Sequence, residues 1–318
     1  MRKKCILGMD IGGTNFRMGL VDERLCADKV EVYPSKDIYG GGHTVENFAS
    51  CIRNYADRHG DGLEILAVFI GCPSVVDRQR RRLYSSTNFP GLEKIDLVEE
   101  LENRLPYPVM IDHDAYCLLA YDIYQSGVNR EGTIAGIYFG TGLGNAVYIG
   151  GKPYIGKNGT ACELGHLVVP FSSRPCSCGN AGCIEMFSCG KALEEIQKTY
   201  FPEDHIGDLF VKHGREQVLR DFVEYMSVAV AAEVNILDPD YVFVGGGLAQ
   251  MEGFPRDELR ERVLSHTRKP YPAENLDLRF SKAGPENGIV GAAIRAFETL
   301  PLKNKDFKLD TYFCWQED

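Results

Sequence analysis

One device occurs twice in this chain and constrains the fold more than any other feature. A buried strand runs into a glycine turn carrying a threonine, and a second strand runs back. Lys4 to Ile11 reads as the first strand, ending in Asp10-Ile11-Gly12-Gly13-Thr14, with Asn15 to Val21 as its return. Thr133 to Phe139 repeats the pattern into Gly140-Thr141-Gly142-Leu143-Gly144, with Ala146 to Ile149 as the return. A third run of β-formers, Tyr241 to Val244, enters Gly245-Gly246-Gly247. Internal repetition of this kind predicts two related α/β lobes facing one another across a cleft. The boundary is expected near Asp114, giving an N-terminal lobe of residues 1–114 and a C-terminal lobe of 115–295, with 296–318 packing back onto the first.

The remaining punctuation fits an α/β chain. Val45, Phe48, Ile52 and Tyr55 share one face of a helix over 45–58, Ile65 to Cys72 is a strand closed by Pro73, and Asp96 to Leu105 is helical. A short strand, Val109 to Ile111, leads into Asp112-His113-Asp114. Val218 to Leu237 is a long amphipathic helix stopped by Asp238-Pro239, and Gly288 to Glu298 is a helix rich in small residues. The tract Gly40-Gly41-Gly42 reads as a loop.

Glycine between two strands lets the backbone approach a ligand and aim N–H groups at it, which suits a phosphate chain. Thr14 and Thr141 each add a hydroxyl donor, and the Asp10 carboxylate suits Mg²⁺, directly or through water. Neither turn is a P-loop, because no G-x-x-x-x-G-K-[ST] is present. Neither is a dinucleotide fingerprint, because a strand rather than a helix follows the glycines.

His166, Cys176, Cys178 and Cys183 make a second cluster. The cysteines are spaced C-x-C-x₄-C with Gly179 and Gly182 between them. One His and three Cys form a closed tetrahedral donor set for Zn²⁺, so the metal here is expected to be structural. Two carboxylates flank the knuckle, which spans 163–185: Glu163, three residues before His166, and Glu185, two after Cys183. Carboxylates there suit the hydroxyls of a polyol. Asp112 and Asp114 are competing candidates for a general base, and their positions alone do not separate them.

The net charge of −10 disfavours nucleic acid or an anionic membrane as partner. The opening MRKKCILGMDIGG is basic and then apolar, but the apolar run is too short for a signal peptide and is broken by Asp10 and glycines. No stretch approaches the roughly 20 apolar residues of a membrane span. A cytoplasmic location is the expectation. Cys5, Cys51, Cys72 and Cys117 sit singly in apolar patterns, as free thiols do in a reducing compartment.

Assembled, these motifs make the chain resemble the ROK family (repressors, open reading frames, sugar kinases) over nearly its whole length. Asp10-Ile-Gly-Gly-Thr14 and Gly140-Thr-Gly-Leu-Gly144 resemble its phosphate motifs, and Gly246-Gly247 its adenosine-side turn. Glu163-Leu-Gly-His166 with Cys176-Ser-Cys-Gly-Asn-Ala-Gly-Cys183-Ile-Glu185 resembles its sugar-and-zinc signature. The resemblance implies a two-lobed actin-like ATPase (ribonuclease H-like) fold, MgATP, a structural zinc, a homodimer, and phosphorylation of the 6-hydroxyl of a hexose. It selects Asp114 over Asp112 as the base and assigns Asn88, His113, Glu163, His166 and Glu185 to the sugar. Two positions depart from the family: His113 stands where Asn is usual, and Pro73-Ser74 where Pro-Gly is usual, both on the C3/C4 side of the sugar. With Asp208-Leu-Phe-Val211 and Asn235-Ile-Leu-Asp-Pro-Asp240, the chain is most similar to members acting on D-allose, the C3 epimer of glucose. Glucose, mannose, fructose and N-acetylhexosamines are the alternative substrates. A sugar-responsive repressor is the alternative of another class, and the phosphate strand beginning at Lys4 leaves no room before it for a helix-turn-helix domain.

Overall fold

A computed structural model of the chain describes residues 3–39, 43–85, 92 and 95–300. Asn88, the glycine tract at 40–42 and the tail 301–318 lie outside the described residues. The first elements are β1 (Lys3–Ile11), β2 (Asn15–Asp22), β3 (Ala27–Pro34), α1 (Lys36–Tyr39), α2 (Thr44–His59) and β4 (Leu63–Cys72). A small hairpin of β5 (Val75–Val76) and β6 (Leu83–Ser85) precedes α3 (Leu97–Glu102), β7 (Val109–His113) and α4 (Asp114–Ser126). There follow β8 (Thr133–Phe139), β9 (Leu143–Ile149), β10 (Lys152–Pro153), α5 (Glu185–Ser188), α6 (Gly190–Tyr200), α7 (Leu209–His213) and α8 (Gln217–Leu237). The chain closes with β11 (Tyr241–Gly245), α9 (Arg256–His266), β12 (Leu278–Phe280) and α10 (Asn287–Thr299).

The repeat in the sequence is a repeat of topology. One sheet has the order β3-β2-β1-β4-β7, the other β10-β9-β8-β11-β12. In each, the strand before the glycine turn pairs antiparallel with the strand after it and parallel with a later strand on its other side. Residues alternate along the strands, so Leu7, Met9, Phe16 and Met18 enter one core with Phe48, Ile52 and Tyr55 of α2. A second core joins Ile137, Phe139 and Val244 to Phe222, Met226, Val230 and Val234 of α8. Helix α8 stops at Asp238, whose left-handed backbone (φ 45°) ends the run of helical hydrogen bonds.

The chain divides into two units. One holds the described residues up to Asn129, Ile155–Thr160 and those from Gly284 onward; the other holds Arg130–Tyr154 and Ala161–Ala283. This differs from the boundary at 114 expected from the sequence. Helix α4 stays with the first unit because α10 packs on it at near-backbone distance: a Cβ on Gly291 would lie 1.9 Å from the Cys117 carbonyl oxygen. Helix α10 equally belongs to the first sheet, since a Cβ on Gly8 of β1 would lie 2.6 Å from the Ile289 oxygen. Residues 115–129, 155–160 and 284–295 therefore leave the lobe to which the sequence assigned them. Among the described residues no helix is long and apolar enough to cross a membrane.

Candidate active site

In the first unit, β1 delivers Asp10 to the mouth of the glycine turn. Gly12 N–H donates to the Asn15 carbonyl (2.9 Å) and closes the hairpin. The turn's carbonyls are engaged from behind: Ser35 Oγ donates to Gly12 O (2.7 Å), Tyr39 Oη to Gly13 O (3.2 Å) and Ser35 N–H to Thr14 O (2.9 Å). With its acceptors occupied, the turn keeps peptide N–H groups and the exposed Thr14 for a ligand.

Asp114 is the first residue of α4, directly after β7 with no intervening loop. Its Oδ1 accepts from Ala115 N–H (2.7 Å) and lies 3.3 Å from His113 Nδ1. His113 Nδ1 also accepts from Ala115 N–H (3.2 Å), which caps the helix. Asp10 pairs with Gly71 across β1 and β4, and a Cβ on Gly71 would lie 3.5 Å from Asp114 Cα. The two carboxylates are thus electrostatic neighbours. Burial, then the Asp114 charge, lift Asp10 to about 6, with Arg17 opposing. Burial also lifts Asp114, against the pull of His113 and the Ala115 N–H.

Asp112 has a different environment. It is 1 % exposed, and its Oδ2 accepts from Arg295 Nη2 (2.9 Å) and Nε (3.3 Å). Its Oδ1 accepts from His113 N–H (2.8 Å) and has Arg80 Nε at 3.2 Å. The Asp112 oxygens are thus taken up by two guanidinium groups, whereas no Lys or Arg pairs with Asp114 among the described residues. Arg80 and Arg295 were not singled out in the sequence. Arg295 lies 183 residues from Asp112, and no local pattern announces such a pair.

Arg17 is a further residue that the sequence reasoning missed. The β1–β2 register sets it opposite Asp10. Its Nη1 is 3.7 Å from Asp10 Oδ2, and its Nε is buried with no hydrogen-bond partner among the described residues. Leaving such a donor unpaired costs about 1–3 kcal/mol. The available signal was the period of two: Phe16 and Met18 enter the core, so Arg17 points to the opposite face of the sheet. Ser74 Oγ, in the Pro73-Ser74 departure, is buried and likewise has no partner among the described residues.

In the second unit, Gly140 N–H donates to Gly142 O (2.9 Å), and the start of α6 engages the turn from behind through Gly190 N–H to Gly140 O (2.8 Å). Thr141 is exposed. The strand resumes at Leu143, so Gly144 pairs with Tyr138 inside the ladder rather than lying in the turn as expected. The turn after β11 abuts this one: Gly246 has φ 87°, and a Cβ there would lie 2.4 Å from the Phe139 oxygen, which restricts the position to glycine. Gly247 borders open space.

The knuckle lies in the same unit. The donor atoms of His166, Cys176, Cys178 and Cys183 all lie within 4.8 Å of one another. Cys178 and Cys183 sulfurs are 3.6 Å apart, and Cys176 Sγ is 3.7 Å from His166 Nδ1. Tetrahedral zinc with bonds of about 2.3 Å to sulfur requires separations of about 3.8 Å, so the four residues fit that ion. Burial pushes the Cys176 thiol up to about 12, so this sulfur would ionise only with a cation bound beside it. Glu185 Oε1 sits 3.6 Å from His166 Nδ1, and Glu163 Oε2 lies 3.6 Å from His166 Nε2, so the ring is bracketed by both candidate carboxylates. A Cβ on Gly142 would lie 3.3 Å from Glu185 Oε2, which sets this cluster against the glycine turn.

The ROK family matches this chain over residues 6–298. A glucokinase of Thermotoga maritima is 27% identical, over 92% of this chain and 97% of the relative. An N-acetyl-D-glucosamine kinase of Aliivibrio fischeri is 28% identical, over 90% of this chain and 97% of the relative. Among solved structures, a ROK family glucokinase from Streptomyces griseus in complex with glucose and AMPPNP is similar in fold, with a TM-score of 0.76 at 24% identity over 91% of this chain and 98% of that one.

Proposed function

The chain belongs to the ROK family, and from that premise we propose that it is a sugar kinase transferring the γ-phosphoryl group of ATP to the 6-hydroxyl of a hexose. The observation that carries this reading is the pairing of Asp10, at a glycine turn, with Asp114, a carboxylate at the start of α4 that pairs with no Lys or Arg among the described residues. The Asp114 carboxylate takes the proton as the hydroxyl oxygen attacks phosphorus. Its raised proton affinity suits a base working near neutral pH. The turns at Gly12-Gly13-Thr14 and Gly140-Thr141-Gly142 donate N–H and hydroxyl groups to the phosphates, and Gly246-Gly247 borders the adenosine. Asp10 holds Mg²⁺, which when bound offsets the charge on the phosphate oxygens. Glu163, His166 and Glu185 bind the sugar hydroxyls, with His113 and Asn88 completing the set. His166, Cys176, Cys178 and Cys183 hold a zinc that fixes the knuckle and the orientation of its carboxylates. The homodimer that the resemblance implies belongs to the same reading.

Within this activity we propose D-allose as the preferred hexose. His113 and Ser74 support it, because both depart from the family's usual Asn and Gly at positions assigned to the C3/C4 side of the sugar, where allose and glucose differ, and the bulkier imidazole reshapes the pocket around C3. A panel of D-allose, glucose, mannose, fructose and N-acetylhexosamines, assayed with ATP by coupled ADP detection, tests both levels. Turnover of any hexose supports the kinase, and a kcat/KM for D-allose no better than for glucose refutes the narrower assignment. Absence of turnover with every sugar refutes the kinase.

A further inference from the structure

We infer that Arg17 is a catalytic residue, its guanidinium binding the oxygens of the phosphoryl group as it transfers; the inference rests on the kinase reading above. Arg17 stands directly opposite Asp10 in the β1–β2 ladder, on the sheet face away from the Phe16 and Met18 core. A guanidinium there would ordinarily form a bidentate pair with the carboxylate at hydrogen-bond distance. It does not: the closest approach is 3.7 Å, and the inner Nε has no hydrogen-bond partner among the described residues. The side chain is 35% exposed, so its outer nitrogens remain open to a ligand. A cation is thus held beside a glycine turn with its donor capacity unspent.

The charge distribution gives that cation a task. Asp10 and Asp114 crowd one region of the unit, and Arg17 is the cation that acts on Asp10. In the transfer, a lone pair of the hydroxyl oxygen forms the new bond to the γ-phosphorus. The bond from phosphorus to the bridging oxygen breaks with its electrons leaving on ADP, and the hydroxyl proton passes to Asp114. Three equatorial oxygens carry the charge in flight, and a planar fork of N–H donors matches two of them. Arg17 spans this need where Asp114, as the proton acceptor, cannot.

The test compares wild type with Arg17→Met, which keeps the stem and removes the charge, and with Arg17→Lys. Steady-state kinetics on the best hexose, calorimetric binding of MgADP and of that hexose, and thermal unfolding are read together. Turnover by Arg17→Met is expected to fall by about 100-fold or more, with the sugar KM and the MgADP Kd each within about threefold of wild type. Arg17→Lys should recover part of the lost rate. Turnover by Arg17→Met that stays within about threefold of wild type overturns the inference. So does a loss of sugar and MgADP affinity as large as the loss of rate, because that marks a purely architectural role. Failure of wild type on every sugar sinks the kinase reading instead, and is seen before any variant is made.

Discussion

Two acids two residues apart should fail in opposite ways. Asp112→Asn keeps the shape of the side chain but removes its charge and one acceptor. In the native protein Oδ2 receives two bonds from Arg295, and Oδ1 receives the His113 N–H with Arg80 beside it. Whichever way the new amide turns, its NH₂ meets a donor; at a site that is 1 % exposed Arg80 loses its carboxylate and Arg295 loses one, keeping Glu298. Breaking a buried pair by removing one partner costs about 3–5 kcal/mol. With a urea slope of about 1–3 kcal/mol per molar, the unfolding midpoint should fall by at least roughly 1 M. Asp114→Asn should do the reverse. Its oxygen can still accept the Ala115 N–H, and an amide has no ionised form to desolvate, so stability should stay within about 1 kcal/mol of wild type. Turnover should be lost while sugar binding persists. Urea titration by fluorescence and coupled ADP release on both variants decide the matter. An Asp112→Asn protein as stable as wild type, or an Asp114→Asn protein that turns over at near-normal rate, would refute the division of labour.

Other perturbations have equally definite outcomes. Gly291→Ala forces a Cβ to within 1.9 Å of a backbone oxygen of α4, so it should cost at least about 2 kcal/mol in thermal unfolding; a neutral result would contradict the α4–α10 contact. Cys178→Ser should lower bound zinc measured by atomic emission and lower the thermal midpoint, because metal binding stabilises such a loop by roughly 10 kcal/mol or more; unchanged zinc content would refute the ligand set. Asp10 gives a pH signature. Its folded value of about 6 exceeds its ordinary value of 3.8, so its ionised form costs stability above about pH 6, and that cost is relieved as pH falls towards 3.8. Asp10→Asn should remove this segment of the stability–pH curve, and in wild type the kinase rate should fall below about pH 6 as the carboxylate loses its hold on a cation. Superimposable curves for the two proteins would show that Asp10 does not titrate there.

The features legible in the sequence were those written locally. Glycine turns between runs of alternating β-formers announce hairpins through backbone sterics, and C-x-C-x₄-C with a preceding His announces four donors that a tight loop can gather. Helix α2 was visible for the same reason, since Phe48, Ile52 and Tyr55 fall on one face. What depends on distant partners was not visible. Asp112 and Asp114 look alike until Arg80 and Arg295 arrive from elsewhere in the chain, and Arg17 reads as one polar residue in a strand until its opposite number is Asp10. The placing of 115–129 and α10 in the first unit depends on how closely Gly291 and Gly8 let α10 approach α4 and β1, and composition does not encode which glycine meets which backbone. The second glycine turn ends at Gly142 because the ladder resumes with Phe139 opposite Leu143, a matter of register rather than of glycine content.

The direct passage of β7 into α4 has a consequence for how such a protein can be altered. His113 closes the strand and Asp114 opens the helix, so the two side chains share one peptide bond and one N-terminal turn. No spacer exists in which a change at position 113 could be absorbed. Retuning the chain towards a new sugar through that histidine would shift the neighbouring acid too, so selectivity and rate are expected to move together in any mutational library built there.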